Sequence, residues 1–235
     1  YFMLKQYSVI YIALAIVIDT ILSSLFLVMV FQKTKNEIKL WRFSNKIAIK
    51  LFSYSWSLAL STFLISVHMK IDQVMIGNML DAKQVGIYSI AVRLSEFWLF
   101  IPMILVNSLF PYFVKLKENN VDKYHSRLMQ LYSIMFWMGV FVGIVTIIFG
   151  EYLIEFIFGE AFVAAYSALI FNIWSGIFMS LGVARGIWIL SENLQKYRLY
   201  NNLMVVSLNI ILNILLIPKM GISGAALASL ITQSS

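Results

Sequence analysis

The chain has 235 residues, of which 61% are hydrophobic and only 12% charged, with a formal net charge of +7 and no cysteine. An ordinary soluble domain is roughly 45–50% apolar and about 25% charged, so the composition excludes most soluble folds, and the lack of thiols excludes disulfide frameworks and thiol chemistry. No GxxxxGK[ST] loop is present to cradle nucleotide phosphates, and no HExxH, CxxC or carboxylate cluster has metal-ligand spacing.

Seven apolar stretches follow one another at roughly 7–31, 51–79, 86–114, 128–149, 162–190, 199–217 and 221–235. A helix needs about 20 residues to cross a hydrocarbon core of ~30 Å, so each stretch is read as membrane-spanning. Tyr7, Tyr11, Trp41, Tyr112, Tyr197 and Tyr200 lie near the ends of these runs, where amphipathic rings prefer to sit. The chain opens on Tyr1 almost inside an apolar run and stops at Ser235 part-way through another. A piece of a longer membrane protein is expected, with the last helix truncated.

Basic residues crowd into every second gap. The gap at 32–50 holds Lys33, Lys35, Lys39, Arg42, Lys46 and Lys50; that at 115–127 holds Lys115, Lys117, Lys123 and Arg127; that at 191–198 holds Lys196 and Arg198. These are twelve of the eighteen basic residues, whereas the gap at 150–161 carries Glu151, Glu155 and Glu160. The positive-inside rule therefore places the three basic gaps in the cytoplasm. The net charge then reflects orientation, and gives no argument for nucleic acid.

Six charged residues fall inside spans: Asp19, Lys70, Asp72, Arg93, Glu96 and Arg185. Charges there are costly and by default mark a pathway or a pair. The spans 51–79 and 86–114 form a hairpin, and with its centre taken near residue 83, Asp72 sits level with Leu94 and Lys70 with Glu96. Arg93 and Glu96 are three apart and share a face. Lys70 and Asp72 are two apart, about 200° around a helix. The expectation is an Asp72–Arg93 pair, with His68 on the face of Asp72 and Lys70 turned to an aqueous cavity; Lys70 against Glu96 is the alternative. Arg185 either lines a cavity or snorkels to the interface. The partner of Asp19 is expected elsewhere in the longer protein.

Gly139 and Gly143 form one GxxxG and Gly182 and Gly186 another, preceded by Gly176, Ser180 and Ala184. Such faces let helices approach closely, and the second could instead leave room for a lumen. Pro102, mid-span, predicts a kink.

The run Ile71-Asp72-Gln73-Val74-Met75-Ile76-Gly77 leads through Val85-Gly86-Ile87-Tyr88-Ser89 to Ala91-Val92-Arg93-Leu94-Ser95-Glu96, then Ile101-Pro102 and Asn107-Ser108-Leu109-Phe110-Pro111. It resembles the seventh and eighth spans of bacterial lipid-linked oligosaccharide flippases of the multidrug/oligosaccharidyl-lipid/polysaccharide exporter superfamily. Gly150-Glu151 to Phe158-Gly159-Glu160 with Ala164-Ala165 is similar to the ninth-to-tenth junction. Asn213-Ile214-Leu215-Leu216-Ile217-Pro218 followed by Gly221-Ile222-Ser223-Gly224-Ala225-Ala226 is similar to the eleventh-to-twelfth.

The resemblance covers most of 45–235. It implies an all-α, polytopic, MATE-like transmembrane bundle: residues 1–31 as the last helix of a first bundle, 32–50 as a basic cytoplasmic linker, and 51–235 as the second six-helix bundle. It further implies a flippase in the bacterial cytoplasmic (inner) membrane that passes an undecaprenyl-diphosphate-linked oligosaccharide across for O-antigen, lipopolysaccharide or capsule synthesis. Lys70, Arg93 and Arg185 are the candidates to line the substrate cavity, with Asp72, Glu96 and Asp19 as buried charge partners. No catalytic residue, metal or cofactor is expected. The partners implied are the lipid-linked oligosaccharide, membrane lipid, the N-terminal half of the same protein and a polysaccharide polymerase.

Two other functions compete. A cation-coupled multidrug exporter of the same superfamily would want an acidic, aromatic cavity, whereas the embedded charges here are three basic and three acidic. A polyprenol-linked sugar transferase or polymerase would want clustered carboxylates and a substantial loop. The longest gap, 32–50, has Glu37 as its sole acid.

Overall fold

The computed structural model describes residues 9–33, 44–192 and 194–235. They form α1 (Val9–Lys33), α2 (Asn45–Met79), α3 (Ala82–Phe97), α4 (Phe100–Asn119), α5 (Val121–Phe158), α6 (Tyr166–Ser191), α7 (Gln195–Met220) and α8 (Ile222–Gln233). A 3-10 turn at Glu160–Ala165 precedes α6, and no strand occurs among the described residues. Among the described residues, four helical stretches are long and apolar enough to cross a membrane: Ala82–Asn119, Val121–Phe158, Glu160–Ile189 and Leu199–Met220. The protein is an all-α polytopic membrane bundle.

The chain divides into two compact units, Tyr1–Ser53 and Tyr54–Ser235. In the first, α1 carries Asp19 on an exposed surface. Of the expected linker, residues 34–43 lie outside the described residues, and α2 already begins at Asn45, six residues before the expected span. The second unit holds the rest of α2 and all of α3–α8.

Helix ends follow local chemistry. Asp81 caps α3 by accepting from the Gln84 amide at 2.7 Å, and Asn120 caps α5 by accepting from the Lys123 amide at 2.8 Å. Gly159 ends α5 at φ 88° and Gly221 separates α7 from α8 at φ 59°, backbone that glycine adopts without a Cβ penalty. With 38 residues, α5 is about 57 Å long at 1.5 Å per residue. It is therefore longer than the hydrocarbon core is thick, and takes in Glu151 and Glu155, expected in a loop.

The turns alternate between two ends of the second unit. Lys117 Nζ meets Glu192 Oε1 at 2.8 Å, so the basic turns after α4 and α6 share one end. At the other, Ser223 Oγ donates to Ser167 Oγ at 3.0 Å, and Asp81, Gln84 and Gly221 line the same polar recess.

The span formed by α3 and α4 breaks at Trp98 and Leu99. Pro102 has no N–H to offer the Trp98 carbonyl, and its ring crowds that oxygen. The backbone tightens instead: Leu99 N bonds Glu96 O at 3.0 Å and Ile101 N bonds Trp98 O at 3.1 Å. The expected kink is thus a break placed four residues before the proline. The buried Trp98 ring fills it. A Cβ at Gly176 would lie 3.2 Å from this ring, and one at Gly139 would lie 3.2 Å from it and 2.8 Å from Ile177. Gly143 approaches the Trp174 ring.

The first GxxxG is thus a close-packing face between α5 and α6. The second is not one among the described residues. A Cβ at Gly182 or Gly186 would meet no atom within 4 Å, while Ser180 and Ala184, on a different face of α6, are fully buried. Gly139→Leu should therefore sharply reduce membrane abundance, by overpacking worth about 1–3 kcal/mol. Gly182→Ala should leave abundance unchanged, as an immunoblot of membrane fractions would read.

Candidate functional site

Polar residues at the middle of these apolar helices converge on Asp72. On α2, His68, Asp72 and Ile76 recur every four residues and turn inward; Asp72 is 5% exposed. On α3, Tyr88, Val92 and Ser95 face the same point; α6 brings Asn172, Ser175 and Met179, and α8 brings Ser229 and Gln233. Asn209 and Asn213, one turn apart on α7, are fully buried.

The Asp72 carboxylate accepts three hydrogen bonds, each from a different helix. Tyr88 Oη donates to Oδ2 at 2.9 Å, Ser229 Oγ donates to the same oxygen, and Asn213 Nδ2 donates to Oδ1 at 2.6 Å. Asn213 Nδ2 also reaches Asn209 Oδ1 at 3.1 Å. His68 Nε2 lies 2.6 Å from Gln233 Nε2; an amide nitrogen only donates, so the imidazole accepts there and carries its proton on Nδ1. Asn172 Nδ2, Asn213 Oδ1 and His68 Nδ1 are buried without a hydrogen-bond partner among the described residues. A cavity of about 50 Å³ is lined by His68, Asp72, Tyr88, Asn172, Ser229 and Gln233 among others.

No arginine or lysine neutralises Asp72: the ion pair found among the described residues is Lys117–Glu192. The expected Asp72–Arg93 pair is therefore corrected. The physical reason is the place of the turn, which falls at Leu80–Asp81 rather than near residue 83. Moving the hairpin centre to 80 moves the residue level with Asp72 from 94 to 88, which is the tyrosine that bonds it. Arg93 follows Val92 by 100° of helix and is exposed.

Lys70 is also exposed, and Glu96 is half-buried. The two do not form a close ion pair among the described residues. Arg185 is exposed and lines a different recess, between α6 and α7. The structure thus gathers Asp72, Glu96 and His68 around one cavity, with Lys70 beside Glu96. Arg185 and Asp19 lie outside that lining.

The sequence reading missed Tyr88, Asn172, Asn213 and Ser229. Asn209 and Asn213, four apart within an apolar span, were the available signal.

An ionised carboxylate buried without a counter-charge is costly, and three neutral donors offset only part of that cost. One carboxylate, hydroxyls and amides make an oxygen-rich set suited to a proton or a small hard cation. Among the described residues no three His, Cys, Asp or Glu side chains gather as a metal cluster.

Fold and site together define a helical membrane protein with a carboxylate-centred polar network inside its bundle. Residues 8–167 match the family model described as "Polysaccharide biosynthesis protein". The match spans more than half of the chain, and the chain belongs to that family. No curated protein and no solved structure matches it. The protein is a membrane protein of polysaccharide biosynthesis.

Proposed function

We propose that the protein is a flippase, not an enzyme, and that it carries an undecaprenyl-diphosphate-linked oligosaccharide across the bacterial cytoplasmic membrane for surface polysaccharide synthesis. The bundle described here works against the N-terminal half of the same protein by alternating access, with the basic turns in the cytoplasm. The observation that carries the proposal is the Asp72 network. A buried carboxylate held by neutral donors from α3, α7 and α8 joins four helices whose packing changes when a proton or small cation binds or leaves. Such an arrangement suits a coupling device.

The anionic substrate is supported by the exposed cations Lys70 and Arg93 on neighbouring helices. A diphosphate leaving water needs positive charge to offset its desolvation. In a strain lacking the native copy, Lys70→Ala should abolish surface glycan at near-normal protein abundance, and Lys70→Arg should retain part of the activity. If Lys70 serves only to balance Glu96, Lys70→Ala should instead lower abundance and Glu96→Gln should restore it. Normal glycan display by a well-expressed Lys70→Ala protein would remove Lys70 from the substrate path.

A further inference from the structure

The α6–α7 turn holds a second recess, of about 420 Å³, that the flippase mechanism does not use. Its lining is Arg185, Trp188 and Ile189 from α6, Leu194 from the turn, and Tyr197 and Asn201 from α7. We propose that it binds the phosphate headgroup of an anionic glycerophospholipid from the surrounding leaflet.

Charge is the first reason. Arg185 makes no hydrogen bond or ion pair among the described residues. The nearest acid along α6, Glu192, is already matched to Lys117 at 2.8 Å. Leu194, the N-cap of α7, supplies no side-chain acceptor to the helix end. The partial positive charge of that N-terminus therefore adds to the guanidinium.

The second reason is depth and shape. Arg185 lies six residues before the end of α6, about 9 Å along the axis, within the reach of a snorkelling arginine to the headgroup level. Gly182 and Gly186, one turn before it and adjacent to it, leave the helix surface open. The third is the character of the walls. Trp188 and Tyr197 are 37% and 71% exposed, and together with Ile189 and Leu194 they make most of the lining apolar. A free anion gains nothing from such walls, whereas a lipid lays its glycerol and upper acyl carbons on them. Basic recesses between spans at the cytoplasmic side are where anionic headgroups bind.

The test uses the full chain in phosphatidylcholine nanodiscs, titrated with phosphatidylglycerol and read by lipid retention in native mass spectrometry. Wild type should retain phosphatidylglycerol in preference to phosphatidylcholine. Arg185→Gln should bind it at least tenfold more weakly, and Arg185→Lys by an intermediate amount. Lys115→Gln, at the same end of the bundle but outside the recess, should bind as wild type does. Glycerol phosphate at the same concentration should not displace the lipid. Equal retention of the two lipids, an Arg185→Gln protein that retains phosphatidylglycerol normally, or full displacement by glycerol phosphate would each overturn the proposal. Because the lipid is not the transported substrate, these outcomes leave the flippase proposal standing or falling on its own test.

Discussion

Asp72→Asn is expected to abolish surface glycan while leaving the protein in the membrane at normal abundance. Asparagine matches the shape of aspartate, and the hydroxyls of Tyr88 and Ser229 can turn to accept from the new amide. The network survives, but the negative charge on which the proposed coupling rests is gone. Glycan display should fall at least tenfold. Asp72→Ala should differ in kind, because it strips the buried Tyr88 hydroxyl of its acceptor and takes one acceptor each from Ser229 and from Asn213, which keeps only its bond to Asn209. Each such loss costs about 1–3 kcal/mol, so abundance should fall with activity. Immunoblots of membrane fractions beside glycan staining separate the two variants. Normal display by Asp72→Asn would end the coupling role of this carboxylate.

Gly224→Val is expected to give the largest loss of stability of any single glycine change in this chain. Gly224 is the third residue of α8 and faces back onto α7. A Cβ there would collide with the carbonyl of Leu216, a backbone group that cannot swing aside as a side chain can. Overpacking costs of about 1–3 kcal/mol are therefore a lower range here. Ser229, a ligand of Asp72, lies on the same short helix, so displacement of α8 should also disturb the site. Gly86→Ala is the contrasting case: its Cβ would meet nothing within 4 Å, and alanine favours helix over glycine by up to about 1 kcal/mol. Thermal unfolding of the purified protein should place Gly224→Val far below wild type and Gly86→Ala at or above it.

The helical membrane architecture was legible from apolar run lengths and the alternation of basic gaps, because lipid imposes both. The break before Pro102 was legible too, since a missing N–H acts wherever the residue falls. Register was not. A turn misplaced by three residues moved the partner of Asp72 by six, from the neighbourhood of Arg93 to Tyr88. Charges also drew attention that neutral polar residues merited more: what meets Asp72 is a tyrosine, a serine and an asparagine, one from each of three helices. Their convergence is a property of packing among α2, α3, α7 and α8, which periodicity within a single helix does not encode. The two GxxxG motifs make the same point. Identical in spacing, one is filled by Ile177, Trp98 and Trp174, and the other is open.

The most direct test is the sidedness of the lipid-linked glycan in cells with and without the protein. Spheroplasts are treated with a membrane-impermeant reagent that tags exposed sugars, and the lipid-linked oligosaccharide is then extracted and scored for the tag. A flippase predicts complete lipid-linked units in both strains, tagged where the protein is present and protected where it is absent. Equal tagging in both strains would contradict translocation. Truncated or missing lipid-linked units in the depleted strain would show instead that the protein helps to build them.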